Sequence, residues 1–182
     1  MSEVLLFGGT FDPPTRAHVE VAKRAMVLTG GTAVVFVPAF QSPLKSTTNT
    51  SPEHRLAMLQ LALQNESWAT ISTLELERGG TSFTIDTIES LMSDGMRVRL
   101  LIGADQWVQF DKWHRHEELL ELGNPLVIPR DGIEAPAERL LQVEPMNCSS
   151  TEARKAICKD ASTDAMLDQA VATYISQHNL YR

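Results

Sequence analysis

Short apolar runs alternate with longer amphipathic stretches along most of this chain, and that alternation limits its possible folds more than any other feature. Such a pattern is typical of a parallel sheet whose two faces are covered by helices. It predicts strands at residues 4–8, 33–38, 69–76, 98–103, 125–129 and 140–144. It also predicts helices at residues 16–29, 52–65, 85–93, 116–122, 151–159 and 164–178. We therefore expect an α/β fold with a mostly parallel sheet.

Length and composition narrow the class of protein further. A chain of 182 residues, 43% of them hydrophobic, suffices for one core, so we expect one domain over residues 1–182. The net charge of −7 argues against a nucleic-acid-binding protein. The start "MSEVLLFGG" lacks the basic residues of a signal peptide, and no apolar stretch approaches the roughly 20 residues of a membrane span. These features predict a cytoplasmic protein that does not bind membranes.

The stretch "VLLFGGTFDPPTRAH" joins the first predicted strand to the first predicted helix. Gly8 and Gly9 would let the backbone approach a ligand closely, and Thr15 is a plausible N-cap. His18 would then lie in the first turn, beside backbone amides that favour a bound anion. These residues predict a phosphate site, although an ordinary capped helix with an incidental histidine explains them as well.

The stretch "CSSTEARKAI" begins another predicted helix. Ser149 and Glu152 have the spacing of a capping box, which needs no function. Capping leaves Arg154 and two further hydroxyls unexplained, and a guanidinium beside free amides suits a polyphosphate.

Two more stretches follow predicted strands, where an open sheet binds its ligands. "GGTSFTIDT" leads to a helix start at Thr84, and it is either a plain turn or an anion site. In "LIGADQWVQFDKW", Asp105 could accept hydrogen bonds from ribose hydroxyls. Trp107 and Trp113 could stack on a planar ring or simply pack in the core.

Several familiar motifs are missing from the sequence. "WHRHEE" lacks the spacing that places two imidazoles on one helix face, so we expect a solvated charged turn and no protein-bound metal. The phosphate loop GxxxxGK[ST] and the dinucleotide fingerprint GxGxxG are also absent. Bound ATP would need another kind of site.

Four stretches in order, "GGTFDPPTRAH", "GGTSFTIDT", "IGADQWVQFDKW" and "CSSTEAR", resemble the bacterial nicotinate mononucleotide adenylyltransferases of the HxGH/TxGH nucleotidyltransferase superfamily. The closing "YISQHNLY" is similar too. The resemblance implies a Rossmann-like nucleotidyltransferase fold. It also implies adenylyl transfer from ATP, with Mg²⁺, to nicotinate mononucleotide in NAD biosynthesis. A homo-oligomer is compatible with the sequence.

The resemblance also implies roles for individual residues. His18, Arg154 and Lys45 would be the catalytic residues around the phosphates, and Thr84 and Trp113 would bind the nicotinate part. The residues implied to bind ATP or its phosphates are Gly9, Thr10, Phe11, Thr15, Gly103, Asp105, Ser150 and Thr151.

The chain departs from the family pattern at several positions of these motifs. Thr15 and Leu44 stand where the family usually has histidine. Threonine is accepted at the first of these positions elsewhere in the superfamily, notably in pantetheine-phosphate adenylyltransferases. Two alternatives therefore remain open: an adenylyltransferase for another acceptor, such as nicotinamide mononucleotide or phosphopantetheine, or a nucleotide-binding regulator without turnover.

Overall fold

The structure is a computed structural model, and it describes residues 3–43, 50–145 and 148–182. Lys45 and Leu44 of the sequence analysis lie outside these residues. The strands are β1 (Glu3–Gly9), β2 (Ala33–Pro38), β3 (Ala69–Ile71), β4 (Arg97–Gly103) and β5 (Leu126–Ile128). The helices are α1 (Arg16–Thr29), α2 (Pro52–Leu63), α3 (Leu74–Arg78), α4 (Thr84–Ser93), α5 (Ala104–Trp107), α6 (His116–Gly123), α7 (Ser150–Cys158) and α8 (Gln169–Gln177), and a 3₁₀ helix covers Phe110–Lys112.

The five strands form one parallel sheet in the order β3-β2-β1-β4-β5. Val4 of β1 pairs with Ala33 of β2 on one side and with Val98 of β4 on the other. The strand order therefore reverses between β1 and β4, which is where open α/β sheets bind ligands. The predicted α/β, Rossmann-like fold is confirmed.

Successive side chains of the central strands enter two separate cores, because a strand alternates its faces. One core joins β1 and β2 to α1 and α2 through Leu5, Phe36, Ala22 and Leu59. The other joins β1 and β4 to α4 and α6 through Leu6, Leu100, Ile88 and Leu119. A third cluster packs α7 and α8 against α2, and it consists of Met58, Ala153, Leu167, Val171 and Ile175. None of the helices in the described ranges has the length and apolar character needed to cross a bilayer.

Three predicted elements differ from the structure. The predicted strand at 69–76 ends at Ile71, because the chain turns at Thr73 into α3 and buries Glu75. The predicted strand at 140–144 is reduced to one bridge between Leu140 and Val127. The predicted helix at 164–178 begins only at residue 169, because the Asp168 side chain accepts a hydrogen bond from the Ala170 amide and caps α8 there.

Candidate active site

A cleft of about 1210 Å³ opens at the carboxyl ends of β1 and β4, at the reversal of strand order. Thr15 is buried and does not line this cleft. The other predicted site residues that the structure describes all line it: Gly9, Thr10, Phe11, His18, Thr84, Gly103, Asp105, Trp113, Ser150, Thr151 and Arg154. Motifs scattered over 146 residues of sequence, from position 9 to position 154, therefore meet in one place.

The loop after β1 is shaped by the packing of one aromatic ring. Phe11 has a φ of 49°, in the left-handed region that costs energy for a residue with a side chain. Its ring is 2% exposed and meets the His18 ring edge-on, with the centroids 5.4 Å apart. A side chain at Gly9 would come within 3.0 Å of the Phe11 ring. Gly9 thus leaves room for Phe11, and Phe11 supports His18.

Hydrogen bonds fix the orientation of the His18 imidazole. The Thr15 backbone N–H donates to Nδ1 at 2.9 Å, and the Thr15 hydroxyl lies 2.7 Å from the same nitrogen. Because Nδ1 accepts a hydrogen bond, the neutral ring carries its proton on Nε2. Nε2–H is then the donor that this ring would offer to an anionic oxygen. Thr15 acts from beneath the cleft by orienting His18.

The beginning of α7 is docked against the loop that precedes α1. The predicted capping box is confirmed, since the Ser149 hydroxyl accepts from the Glu152 amide and the Glu152 side chain accepts from the Ser149 amide. Ser150 donates from its hydroxyl to the Pro13 carbonyl at 2.8 Å. α1 and α7 therefore both begin at the cleft, and the partial positive charges of two helix N-termini favour an anion there.

Arg154 is held in place at this junction. Its guanidinium donates to the Asp12 backbone carbonyl at 2.5 Å and to the Thr151 hydroxyl at 3.2 Å. A guanidinium has five N–H donors, so these two bonds leave others for a ligand. Arg154 combines a fixed position with N–H groups that are unpaired among the described residues, which is what phosphate recognition needs.

The aromatic end of the cleft lies against the core of β4, α4 and α6, on the sheet face away from α1. Thr84 is the first residue of α4, and Trp113 follows the 3₁₀ helix. Phe83 and His114 lie beside them with ring centroids 4.5 Å apart, and both line the cleft. This end suits a planar ring.

Two buried polar atoms of the cleft wall have no hydrogen-bond partner among the described residues. They are Thr10 Oγ1, in the loop after β1, and Trp113 Nε1, at the aromatic end. Buried polar groups are normally paired, so each unpaired atom calls for an explanation. A ligand that spans the cleft would supply one.

Gly103 and Asp105 continue β4 into α5. Asp105 lies in the first turn of α5, and its carboxylate is 4.0 Å from Arg130 Nε. Both side chains are substantially exposed, and such an ion pair is weak. The Asp105 carboxylate can therefore turn to accept hydrogen bonds from the hydroxyls of a ligand.

Sequence reasoning missed three buried charged residues at or beside the cleft: Arg55, Glu75 and Asp12. Arg55 is 1% exposed and donates to the carbonyls of Thr10, Ala39 and Phe40, at 2.9, 2.6 and 3.1 Å. It joins the loop after β1 to the end of β2, and burial lowers its pKa. Its position on the buried face of α2, three residues before Met58, was a signal that could have found it.

Glu75 is the second buried charged residue, and it is 6% exposed. Burial raises the pKa of its carboxyl, although hydrogen bonds from Thr87 and Ser82 oppose that shift. The Thr87 hydroxyl donates to Oε1 at 2.8 Å. Ser82 also accepts a hydrogen bond from the Phe40 amide, so Glu75 supports the loop that carries Thr84.

The donor set bears on how the cleft could accommodate a metal. Within the described ranges, no three His, Cys, Asp or Glu side chains are grouped closely enough to hold a metal ion. Mg²⁺ typically keeps several waters and binds through substrate phosphates with few protein ligands. The cleft is therefore compatible with an ion that enters with a nucleotide.

Comparisons with known proteins agree with this site. The family model for cytidylyltransferase-like proteins matches residues 6–156. A probable nicotinate-nucleotide adenylyltransferase of Herpetosiphon aurantiacus is 35% identical and aligns over 100% of this chain and 99% of its own length. A relative of the same description from Bordetella petrii is 34% identical over 100% of both chains.

Solved structures share the fold. The Plasmodium falciparum nicotinic acid mononucleotide adenylyltransferase complexed with NaAD superposes with a TM-score of 0.82 and is 23% identical. The match covers 100% of this chain and 98% of that one. The same Plasmodium enzyme complexed with APC superposes with a TM-score of 0.79, at 20% identity and with the same coverage.

Proposed function

This chain belongs to the nicotinate-nucleotide adenylyltransferases of the cytidylyltransferase-like family, and on that premise we propose that it transfers the adenylyl group of ATP to nicotinate mononucleotide. The products are nicotinate adenine dinucleotide and pyrophosphate, in NAD biosynthesis. One observation carries the proposal: a single cleft has helix N-termini with His18 and Arg154 at one end and Thr84 with Trp113 at the other. The first end suits phosphates, and the second suits a planar base.

The reaction needs positioning and charge compensation more than covalent chemistry. A phosphate oxygen of the mononucleotide attacks the α-phosphorus of ATP, and the bond from that phosphorus to the oxygen bridging to the β-phosphorus breaks. Pyrophosphate leaves with the electron pair of that bond. Both reactants are anions, so the site must cancel their repulsion and align them.

We assign the phosphate contacts to residues of α1 and α7. His18, through Nε2–H, and the first amides of α1 would hold the α- and β-phosphates. Arg154, with Ser150 and Thr151, would stabilise the pyrophosphate as it leaves. The orientation of His18 by Thr15 and the docking of Arg154 support this assignment. Lys45, outside the described residues, is proposed to assist Arg154.

The remaining residues are assigned to the two organic parts of the substrates. Thr84 would hydrogen-bond the nicotinate part, and Trp113 would stack on its ring. Asp105 would accept hydrogen bonds from the ribose of ATP. The backbone near ATP would come from Gly9, Thr10, Phe11 and Gly103, all of which line the cleft.

Mg²⁺ is the proposed cofactor, and when bound to ATP it would neutralise part of the charge on the phosphates. The protein would bind it mainly through those phosphates and would supply few ligands of its own. We also propose that the protein is cytoplasmic and that residues 1–182 form a single nucleotidyltransferase domain. A homo-oligomeric state is compatible with this proposal.

An acceptor panel tests the proposed substrate. The protein is given Mg²⁺-ATP with nicotinate mononucleotide, nicotinamide mononucleotide or phosphopantetheine, and the products are identified by mass. We expect the highest kcat/KM with nicotinate mononucleotide. A preference for another acceptor would overturn the substrate, and ATP binding with no product from any acceptor would favour a regulator.

A further inference from the structure

The C-terminal residues reach back into the part of the cleft that carries His18 and Arg154. Residues 179–182 follow α8 and line the cleft. The Tyr181 hydroxyl donates to Asp12 Oδ1 at 2.5 Å, and the Thr50 side chain is a second hydrogen-bonding partner of the Tyr181 oxygen. A residue at the end of the chain is thus fastened to the loop after β1.

Asp12 is an unexpected neighbour for an anion site. It is 6% exposed, it lines the cleft, and its charge also acts on the buried Arg55. Arg154 donates to the backbone carbonyl of this same residue, and its charge acts on Tyr181, whose hydroxyl bonds the Asp12 carboxylate. One guanidinium thus lies close to the Tyr181–Asp12 pair and to a cleft that suits phosphates. Attraction between opposite charges strengthens as water is excluded, so an Asp12 carboxylate released from Tyr181 would attract the Arg154 guanidinium in competition with a ligand.

We propose that Tyr181 is a positioning residue for Arg154. Its hydroxyl donates a hydrogen bond to the Asp12 carboxylate, and so the Arg154 guanidinium stays bonded to the Asp12 backbone carbonyl. In that position the guanidinium is available to the phosphates of ATP. This inference rests on the proposed function, since it takes the anionic ligand of the cleft to be ATP.

Removal of the hydroxyl has a definite consequence. The Asp12 carboxylate would lose a donor while staying buried, and a buried charge without its hydrogen bonds is costly. Arg154 also has N–H groups that no described residue accepts, and it can form a two-pronged, charge-assisted pair with a carboxylate. Arg154 would then be drawn from ATP, whereas the aromatic end of the cleft would be unaffected.

The test is Tyr181→Phe, with Tyr174→Phe as the matched control. The chain has only these two tyrosines, and the Tyr174 hydroxyl is paired with His54 Nδ1 at 2.9 Å and not with Asp12. The Kd for Mg²⁺-ATP is measured by calorimetry without acceptor, and the KM for nicotinate mononucleotide is measured separately. We expect the Kd for ATP to rise roughly 10-fold in Tyr181→Phe, as for a lost charge-assisted bond. In Tyr174→Phe it should change less than about twofold.

A second background separates positioning from general loosening of the structure. Asn at position 12 carries no charge and cannot capture Arg154, so Tyr181→Phe should change the ATP Kd less than about twofold when combined with Asp12→Asn. Asp12→Asn alone should bind ATP at least as tightly as the wild type, because a negative charge leaves the cleft.

Several outcomes would overturn the inference. One is a rise in the ATP Kd on Tyr181→Phe that persists with Asn at position 12. Another is a rise in the KM for nicotinate mononucleotide as large as the rise in the ATP Kd. The third is a rise in the ATP Kd in Tyr174→Phe as large as in Tyr181→Phe. If Tyr181→Phe does not fold, weaker ATP binding by Asp12→Asn decides against the inference and unchanged or tighter binding supports it. A wild type that binds ATP but makes no dinucleotide would refute the proposed function and leave this test intact.

Discussion

Replacing Arg55 by methionine should destabilise the protein strongly, although no surface charge pair is involved. The substitution keeps an unbranched side chain of similar length and removes the guanidinium. Three carbonyls, those of Thr10, Ala39 and Phe40, then lose their donor in a site where Arg55 is 1% exposed. Each such carbonyl costs roughly 1 to 3 kcal/mol when it is left unpaired and buried.

The expected net loss is smaller than that sum, because the desolvation cost of the buried guanidinium is also removed. We expect Arg55→Met to lower the free energy of unfolding by about 3 to 5 kcal/mol, the usual cost of breaking a buried charged network from one side. Arg55→Lys should lower the free energy of unfolding by about half as much. An ammonium keeps the charge, but it cannot reach three acceptors as the planar guanidinium does.

Urea-induced unfolding followed by circular dichroism measures these changes. Arg24→Met is the control, since Arg24 is exposed and bonded to Glu20 one helical turn away at 2.7 Å. Such a pair contributes about 0.5 kcal/mol or less. A change for Arg55→Met as small as that of Arg24→Met would refute the view that this arginine holds the loops of the cleft together.

Three further predictions concern the reaction, a helix end and a buried acid. His18→Ala should lower kcat roughly 10²- to 10³-fold if Nε2–H is a preorganised donor in the transition state, and near wild-type turnover would remove it from the mechanism. Ser149→Ala should lower the free energy of unfolding by about 1 kcal/mol through loss of the α7 cap, measured in urea, and no change would count against the capping box. Glu75→Gln should raise the Tm relative to wild type at pH 7. Because burial raises the pKa of Glu75, ionisation lowers the stability of the wild type only as the pH rises above the ordinary value of 4.5. The difference in Tm between the two proteins should therefore disappear near pH 4. Thermal scans of both proteins from pH 4 to 7 measure this difference in Tm, and a difference that narrowed as the pH rose would contradict the prediction.

Elements with local signals could be predicted from the sequence closely. The β2 and α1 bounds agree with the prediction, because the apolar run 33–38 is continuous and Gly30, with a φ of 68°, ends the helix after Thr29. The capping box of α7 was equally local, since it depends on residues three apart.

Features set by distant residues could not be predicted. The alternation in "ATISTLEL" favours a strand, but Glu75 is paired with Thr87, twelve residues later, and the chain forms α3. Residues 140–144 pair with β5 only at the Leu140–Val127 bridge, because the Val143 amide donates back to the Leu141 carbonyl. Periodicity within one segment contains no information about such partners.

The candidate site follows the same division. The motifs predicted eleven residues that line the cleft. Asp12 and Tyr181, 169 positions apart, share a hydrogen bond that no local pattern reveals. Thr15 was expected at the phosphates, and the structure has it buried beneath His18.

Transfer of label from ATP tests the central claim most directly, because the claim specifies which phosphorus is attacked. The protein is incubated with nicotinate mononucleotide and Mg²⁺ together with ATP that is radiolabelled either at the α- or at the γ-phosphorus. We predict that α-label appears in nicotinate adenine dinucleotide and γ-label only in pyrophosphate. Transfer of γ-label to the acceptor, or no labelled dinucleotide from α-labelled ATP, would contradict it.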